Sequence, residues 1–515
     1  MSQQPSSAPK ARPAFPGLAL ALGAITLLAL AWRLWLMPRY YGWEESDYGN
    51  LAMARGVLES GFTHYDMNHL PLYYGLSALV LALVGDTVLA THLVSLAAGL
   101  ATVVLVVLLA WRLGGREAAW LAGLVVVFQP ELALYSSSAL REPLYAALLL
   151  GSLALLTKER LVAAAVLAVL AFLVRFDALV IMGPVLFIHA LGRSPRPRRL
   201  AHVLLPLAVG VALWSGYCHI EHGIWRFWEH SVTVNLETGL GEEAGGRLEW
   251  MANGARVSSA LGLSVLPSHL GLFLPVAALL ALPGMVRAGH GARRSLALLL
   301  ALITGFWLAI GFTGQHEPNH NLYWKWLLPL VPVWAICAGL GSAWLLDKTR
   351  GRVPRSLVFA VLGVGLVTAW VQQLDETRRQ LAVSEQLYKP QLVLAQRIEA
   401  EIPASVPMIL DNIPACWLDR VVHERTLWTW MDIPVPESGR AELGAWMQEQ
   451  GIGWVLWFEE EWTQAPVVAP WLASGGSQHL GPVMLMEIER EDAYGWIWYR
   501  VDPWPPVLPS AEKPR

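Results

Sequence analysis

Charge is scarce in this chain. Of its 515 residues only 15% are Asp, Glu, Lys or Arg, 55% are apolar, and the mean hydropathy is +0.44. A soluble protein of that length needs more charge to cover its surface, so a wholly soluble enzyme is excluded. Cysteine is nearly absent too: Cys218, Cys337 and Cys416 stand far apart, two of them in apolar runs. They supply neither a disulfide framework nor a metal-ligand spacing. No GxxxxGK[ST] loop occurs, which excludes a P-loop ATPase. The C-terminal segment has no Asp-x-Asp, the usual holder of a metal-bound nucleotide sugar. A net charge of −3 without a basic domain gives no footprint for nucleic acid.

What the chain has is long uncharged runs, such as Leu96–Leu109 and Leu161–Val174. A helix needs roughly 20 apolar residues to cross a bilayer. Spans are expected near 15–37, 88–110, 117–135, 142–157, 161–174, 178–192, 200–218, 265–286, 295–313, 326–346 and 355–372, about eleven in all. The first run ends in Trp32, Arg33 and Trp35 without a small-residue cleavage site, so it reads as a retained span rather than a signal peptide. With this assignment Lys10/Arg12, Arg112/Arg116, Lys158/Arg160, the arginines of 193–199, Arg287/Arg293/Arg294 and Lys348–Arg355 all fall on one side. That side is expected to be the cytoplasm. The opposite loops carry the acids, the histidines and many tryptophans.

Two segments test the scheme. Residues 71–85 are apolar but give only about 22 Å of helix, and crossing there would turn every later basic cluster outward. They read as a helix half-buried from the outer side. The 161–192 stretch is either a hairpin turning at Arg175-Phe176-Asp177 or one long span with a buried ion pair, and basic residues on both flanks favour the hairpin. Residues 1–14 are a Pro/Ser-rich tail expected to be disordered on the cytoplasmic side. Residues 15–372 are the expected membrane domain, with outer loops at 38–70, 219–264 and 314–325. Residues 373–515 mix helix-like stretches (Ser384–Ile402, Arg440–Gln450) with strand-like runs (Met408–Leu410, Trp454–Phe458, Pro482–Glu489, Gly495–Val501). That alternation predicts a small soluble α/β domain on the outer side.

Four motifs carry chemistry. Trp43-Glu44-Glu45-Ser46-Asp47-Tyr48 leads into Leu51, Ala54, Val57 and Leu58 and stops at Gly61. The spacing predicts an amphipathic helix on the membrane surface. Glu44 and Glu45 at its N-terminus are held ionised by the helix dipole, as a base requires, although acids also cap ordinary helices. His69-Leu70-Pro71-Leu72-Tyr73-Tyr74 opens the half-buried helix, where an aromatic belt is the bland alternative. Arg141-Glu142-Pro143 starts the fourth span, and an acid at a membrane rim is a functional candidate. Gln315-His316-Glu317-Pro318-Asn319-His320 precedes Tyr323-Trp324-Lys325-Trp326-Leu327-Leu328-Pro329. Pro318 breaks the spacing that a two-histidine metal site would need. Lys325 is a rim anchor or a phosphate-binding charge.

In this order the motifs resemble the GT-C membrane glycosyltransferases, in the branch of dolichyl-phosphate-mannose protein mannosyltransferases and lipid A aminoarabinose transferases. Glu44-Glu45-Ser46-Asp47-Tyr48 stands where members carry Asp-Glu-x-x-Tyr, and His69–Tyr74 resembles their His/Lys-Pro-Pro-Leu-Tyr-Tyr. Glu142 matches their acid at the start of the fourth span, and Lys325–Pro329 their late Arg-Tyr-Leu-Leu-Pro. The likeness is strongest over 38–190 and 323–340. Glutamate replaces the leading aspartate, Leu70 a proline and Lys325 an arginine. Lysine keeps the charge but loses the two-pronged grip on phosphate.

The resemblance implies a polytopic helical GT-C-like fold and inverting transfer of a sugar from a polyprenyl-phosphate donor to an acceptor hydroxyl on protein, lipid or envelope glycan. It makes Glu44 or Glu45 the base, Glu142 its helper, and Lys325, His69 and Arg141 the phosphate contacts. Asp47, Tyr48, Tyr73, Tyr74 and Tyr323 are the expected substrate contacts, with no cofactor and no metal. The implied location is the plasma (inner) membrane, multi-pass. The rival classes are a flippase or transporter of lipid-linked sugars, which needs charges deep within spans and an internal repeat, and a non-catalytic membrane scaffold.

Overall fold

The computed structural model describes residues 16–40, 46–63, 70–85, 88–192, 194–226, 291–313, 328–403, 405–410, 427–429, 440–458, 472, 475–491 and 496–503. The apolar part runs α1 (Pro16–Leu36), α2 (Ser46–Ser60), α3 (Pro71–Val84), α4 (Val88–Val127), α5 (Pro130–Tyr135), α6 (Glu142–Leu156), α7 (Leu161–Phe172), α8 (Asp177–Leu191), α9 (Arg196–His222), α10 (Ala292–Thr313), α11 (Leu330–Lys348) and α12 (Arg355–Glu401). Among the described residues, α1, α4, α9, α11 and Arg355–Gln386 of α12 are long and apolar enough to cross a membrane. The expected span at 265–286 and most of the loop 219–264 lie outside the described residues.

Local chemistry sets the breaks. Gly115 interrupts α4 with φ 85°, a conformation that glycine adopts at no steric cost. The expected span 117–135 is divided. Pro130 lacks an N–H and pushes Gln129 to ψ 121°, so α4 ends and α5 restarts with Gln129 accepting from the Leu132 N–H at 2.7 Å. The pieces α6, α7 and α8 are 15, 12 and 15 residues. At about 1.5 Å per residue they are shorter than the ~30 Å hydrocarbon layer. They are nonetheless at home in the bundle, since Leu149, Leu153, Ala164, Ala168, Ile181 and Val185 are all buried.

The α3 helix forms over the expected stretch. Pro71 sits in its first turn, and Tyr73, Tyr74, Ser77, Ala78 and Leu81 face inward. Leu79, Leu83 and Val84 are exposed and apolar, as suits a face turned to lipid. The 161–192 hairpin is present as α7 and α8, with its turn at 173–176.

The α12 helix departs from expectation. Instead of a span ending at 372 and a separate helix at 384–402, one helix of 47 residues continues throughout. Its middle is rich in Gln, Leu, Glu and Arg, with no glycine between Gly365 and Gly439 to stop it. Trp370 Nε1 donates to the Leu124 carbonyl at 2.9 Å, and Arg355 pairs with Glu117 at 3.1 Å.

Beyond α12 lies a six-stranded sheet. Its strands are β1 (Met408–Leu410), β2 (Leu427–Thr429), β3 (Trp454–Phe458), β4 (Gln478–Leu480), β5 (Val483–Glu491) and β6 (Trp496–Pro503), in the order β2-β1-β3-β6-β5-β4. The β2-β1-β3 half is parallel and the rest antiparallel. Helix α13 (Arg440–Glu449) packs Leu443 and Met447 into a core with Ile409, Val455, Trp457, Leu485 and Tyr499. Strands β2 and β4 were not expected from the sequence. At three residues each they are too short to show a period of two.

Candidate active site

The hairpin turn between α7 and α8 carries Arg175 to the start of α6. Arg175 Nη1 meets Glu142 Oε1 at 3.1 Å, and its Nε meets Asp177 Oδ1 at 3.1 Å. Tyr145, one turn into α6, donates its hydroxyl to Asp177 Oδ2 at 2.8 Å, with the guanidinium lying 5.5 Å from its ring centroid. All four are buried: Glu142 is 2% exposed, Arg175 7% and Asp177 8%. Among the described residues Glu142 Oε2 has no hydrogen-bond partner. Ionisable groups at such depth persist only when paired, and here two carboxylates converge on one fork-shaped cation.

The other described motifs are stitched to the same end of the bundle. Asn50, on α2 and five residues beyond Glu45, donates to the Ala139 carbonyl at 2.5 Å and accepts from the Tyr74 hydroxyl at 2.8 Å. Tyr73 meets Ser95 Oγ at 2.9 Å, and Ser95 donates to the Leu140 carbonyl at 2.6 Å. The Leu72 N–H donates to the Leu173 carbonyl at 3.0 Å. Thus α2, α3, the 136–141 turn and the α7–α8 turn are joined within a few residues of Glu142. Beneath them Arg33, fully buried on α1, braces the turn by donating to Ser136 Oγ at 2.8 Å.

Of the residues expected from sequence, the structure brings Glu142, Tyr73 and Tyr74 to this end. The two tyrosine hydroxyls bond to Ser95 and Asn50 and so brace α3 against α4 and α2. Arg141 is the half-buried N-cap of α6 and makes no ion pair among the described residues. Asp47 and Tyr48 fall on the first turn of α2. Glu44, Glu45, His69, Tyr323 and Lys325 lie outside the described residues.

Sequence reasoning did not select Arg175, Asp177, Tyr145, Asn50 or Arg33 for the site. Arg175-Phe176-Asp177 was visible as the one charged interruption of an apolar stretch, and it is both the expected turn and a buried ion pair. That it meets Glu142, 33 positions earlier, is tertiary information. Tyr145 and Asn50 carried no signal.

No protein-family model matches the sequence, and no curated protein sequence matches it. Solved structures do. ArnT from Cupriavidus metallidurans bound to undecaprenyl phosphate superposes with a TM-score of 0.61 at 16% identity, covering 95% of this chain and 98% of that one. The oligosaccharyltransferase AglB from Archaeoglobus fulgidus, in complex with an inhibitory peptide and a dolichol-phosphate, gives 0.54 at 12% identity, covering 85% and 69%. A second structure of the Archaeoglobus fulgidus enzyme, tethered to an acceptor peptide, gives 0.55 at 11% identity over 85% and 68%. The chain therefore has the fold of the ArnT structure, over nearly the full length of both chains.

Proposed function

We propose that the protein is an inverting glycosyltransferase that moves a sugar from a polyprenyl-phosphate donor to an acceptor hydroxyl on the non-cytoplasmic face of the membrane. The observation that carries this reading is the buried Glu142–Arg175–Asp177 group, joined through Asn50 and Ala139 to the helix that follows Glu44-Glu45. It stands on a fold shared with proteins solved with undecaprenyl phosphate and dolichol-phosphate. A rigid ionic group on helices tied together by hydrogen bonds is what the positioning of a general base requires.

In the proposed reaction Glu44 or Glu45 takes the proton of the acceptor hydroxyl. The acceptor oxygen bonds to the anomeric carbon as the bond from that carbon to the phosphate oxygen breaks. The electron pair leaves on the lipid phosphate, where Lys325, with His69 or Arg141, stabilises the charge. Glu142, fixed by Arg175, orients the acceptor or the basic glutamate. Asp47, Tyr48 and Tyr323 are proposed substrate contacts. The cytoplasmic N-terminus, the non-cytoplasmic sheet domain and the plasma membrane location belong to the same reading, which rests on the basic clusters at the other end of the bundle.

The test is transfer by purified protein in lipid, with a panel of labelled polyprenyl-phosphate sugars and crude membrane acceptors, beside Glu44→Gln/Glu45→Gln and Glu142→Gln. Transfer by the native chain that is lost in the double variant supports the reading. Equal transfer by the double variant removes the proposed base. Absence of transfer and of donor binding across the panel, in folded protein, overturns the reading.

A further inference from the structure

One buried cation has no part in the proposed reaction. Arg33 of α1 is fully buried, and among the described residues it pairs with no carboxylate. A charge held at such depth needs compensating partners. Its Nε donates to Ser136 Oγ at 2.8 Å, and its Nη1 faces the Ala29 carbonyl at 3.1 Å and the Val127 carbonyl at 3.5 Å. Val127 is the last residue of α4. Pro130 has no N–H with which to continue that helix, so the last carbonyls of α4 lack intrahelical partners and form its negative end. The Leu124 carbonyl accepts from Trp370, and the Val127 carbonyl faces Arg33. The helix terminus stands where a counter-ion would.

The same arginine is locked to the turn that leads to Glu142. Ser136 accepts from the guanidinium while donating its own hydroxyl to the Leu132 carbonyl, and Ser137 donates back to the Arg33 carbonyl at 3.2 Å. Side chain and main chain of one residue therefore hold two successive serines. Gly99 of α4 leaves room for this joint, since a Cβ there would strike Ser136. Further along, the carbonyls of Ala139, Leu140 and Pro143 accept from Asn50, Ser95 and Thr102, at 2.5, 2.6 and 3.3 Å. The stretch that carries Arg141 and Glu142 is thus anchored from α1, α2 and α4, and Arg33 supplies the anchor at its start. A methionine would fill the same volume but could not donate to the turn and to the end of α4 together.

We infer that Arg33 is a positioning residue for the proposed transfer: by pinning the carboxyl end of α4 to the 136–141 turn, it sets the place of Glu142 and, through Ala139 and Asn50, of the helix that follows Glu44-Glu45. It acts through the turn and on no reacting atom. Its effect on rate rests on the glycosyltransferase reading, whereas the pinning is a property of the folded chain. Without the guanidinium the turn shifts, and the acidic groups on either side of it lose their register. Turnover then suffers more than donor binding.

The experiment uses the full chain in lipid and compares Arg33→Met and Arg33→Lys with the native protein and with Ser152→Ala. Ser152 donates to the Ala164 carbonyl at 2.8 Å between α6 and α7, so its loss weakens the bundle away from the turn. Transfer is measured against donor concentration, and hydrogen exchange is followed over 133–142 and 46–60. Arg33→Met is expected to lower kcat at least about tenfold with the donor KM within about twofold, and to raise exchange in both segments. Arg33→Lys, which keeps the charge but not the fork, is expected to regain part of kcat. Ser152→Ala is expected to lower the melting temperature and to leave kcat and the exchange of both segments as in the native chain. The inference is overturned if Arg33→Met turns over like the native chain, if Ser152→Ala loses as much kcat, or if exchange over 133–142 is unchanged. Should Arg33→Met not fold, Arg33→Lys is read against the same three criteria. If the native chain transfers no sugar from any donor, the glycosyltransferase reading falls, and the exchange pattern alone decides whether Arg33 pins the turn.

Discussion

Arg175 reaches from the α7–α8 turn to Glu142 at the head of α6, and the 3.1 Å contact between them is buried on both sides. It closes a group in which one guanidinium faces two carboxylates. Removing the cation therefore costs more than one salt bridge.

Arg175→Gln is expected to destabilise the protein by about 3–5 kcal/mol, because Glu142 and Asp177 are left buried without their partner. Arg175→Lys is expected to fall between, since an ammonium cannot address both carboxylates with a fixed fork. Adding Glu142→Gln to Arg175→Gln should recover part of the loss. Thermal melting in detergent checks the series, and a double variant no better than the single would refute the pairing.

Tyr145→Phe removes the 2.8 Å hydrogen bond to Asp177 and keeps the ring beside Arg175. A buried carboxylate oxygen that loses its donor costs about 1–3 kcal/mol. The expected outcome is a lower melting temperature with the chain still folded, and reduced transfer through a lower kcat rather than a higher KM.

Asn50→Leu cuts both the bond to the Ala139 carbonyl and the bond from Tyr74. If Asn50 ties the Glu44-Glu45 helix to the Glu142 turn, transfer should fall at least tenfold, about 1.4 kcal/mol in the barrier, while melting shifts only modestly. Hydrogen exchange over α2 should rise; unchanged exchange there would count against the tie.

Gly444→Ala is expected to unfold the C-terminal sheet domain while the membrane helices persist. An added Cβ would stand 1.7 Å from the Leu480 carbonyl oxygen, a backbone atom that cannot turn aside, so α13 must lift off β4. Limited proteolysis after α12 reads this directly.

Arg397 of α12 holds Glu489 of β5 through paired hydrogen bonds, one of them 2.9 Å long. These bonds lower the Glu489 carboxyl from its usual range. A depressed carboxylate stabilises above its unfolded pKa and loses that stability as pH falls through the folded value. The helix–sheet tie is thus expected to weaken only in acid, below the ordinary carboxylate range, and by no more than about 1 kcal/mol because both groups are partly exposed. Hydrogen exchange on 483–491 against pH should show this step, and Glu489→Gln should abolish it.

Much of the architecture was legible in the residues. Long uncharged runs between basic clusters placed α1, α6–α10 and α11 within a few positions, because burying a charge in lipid is costly and leaves gaps in composition. The apolar stretch at 71–85 marked α3, which runs Pro71–Val84. The expected span 117–135 overran the division at Pro130, where the missing N–H and the bias on the preceding residue end α4. Of the buried cluster around Arg175, Glu142 stood out in the sequence as an acid at the start of an apolar run, and Tyr73 and Tyr74, which lie near it, as part of a motif before α3.

The sequence by itself determined that this is a membrane protein with many apolar helices and a small sheet domain after them, since hydropathy and periodicity are local properties. Tertiary structure alone decided that Arg175 belongs to Glu142, that Asn50 joins two motifs, and that His189 meets Ser295 106 positions away. Such pairings have no periodicity to read. They follow from which helix ends the packing of apolar faces brings together, and only then do the buried charges find the partners that make their burial tolerable.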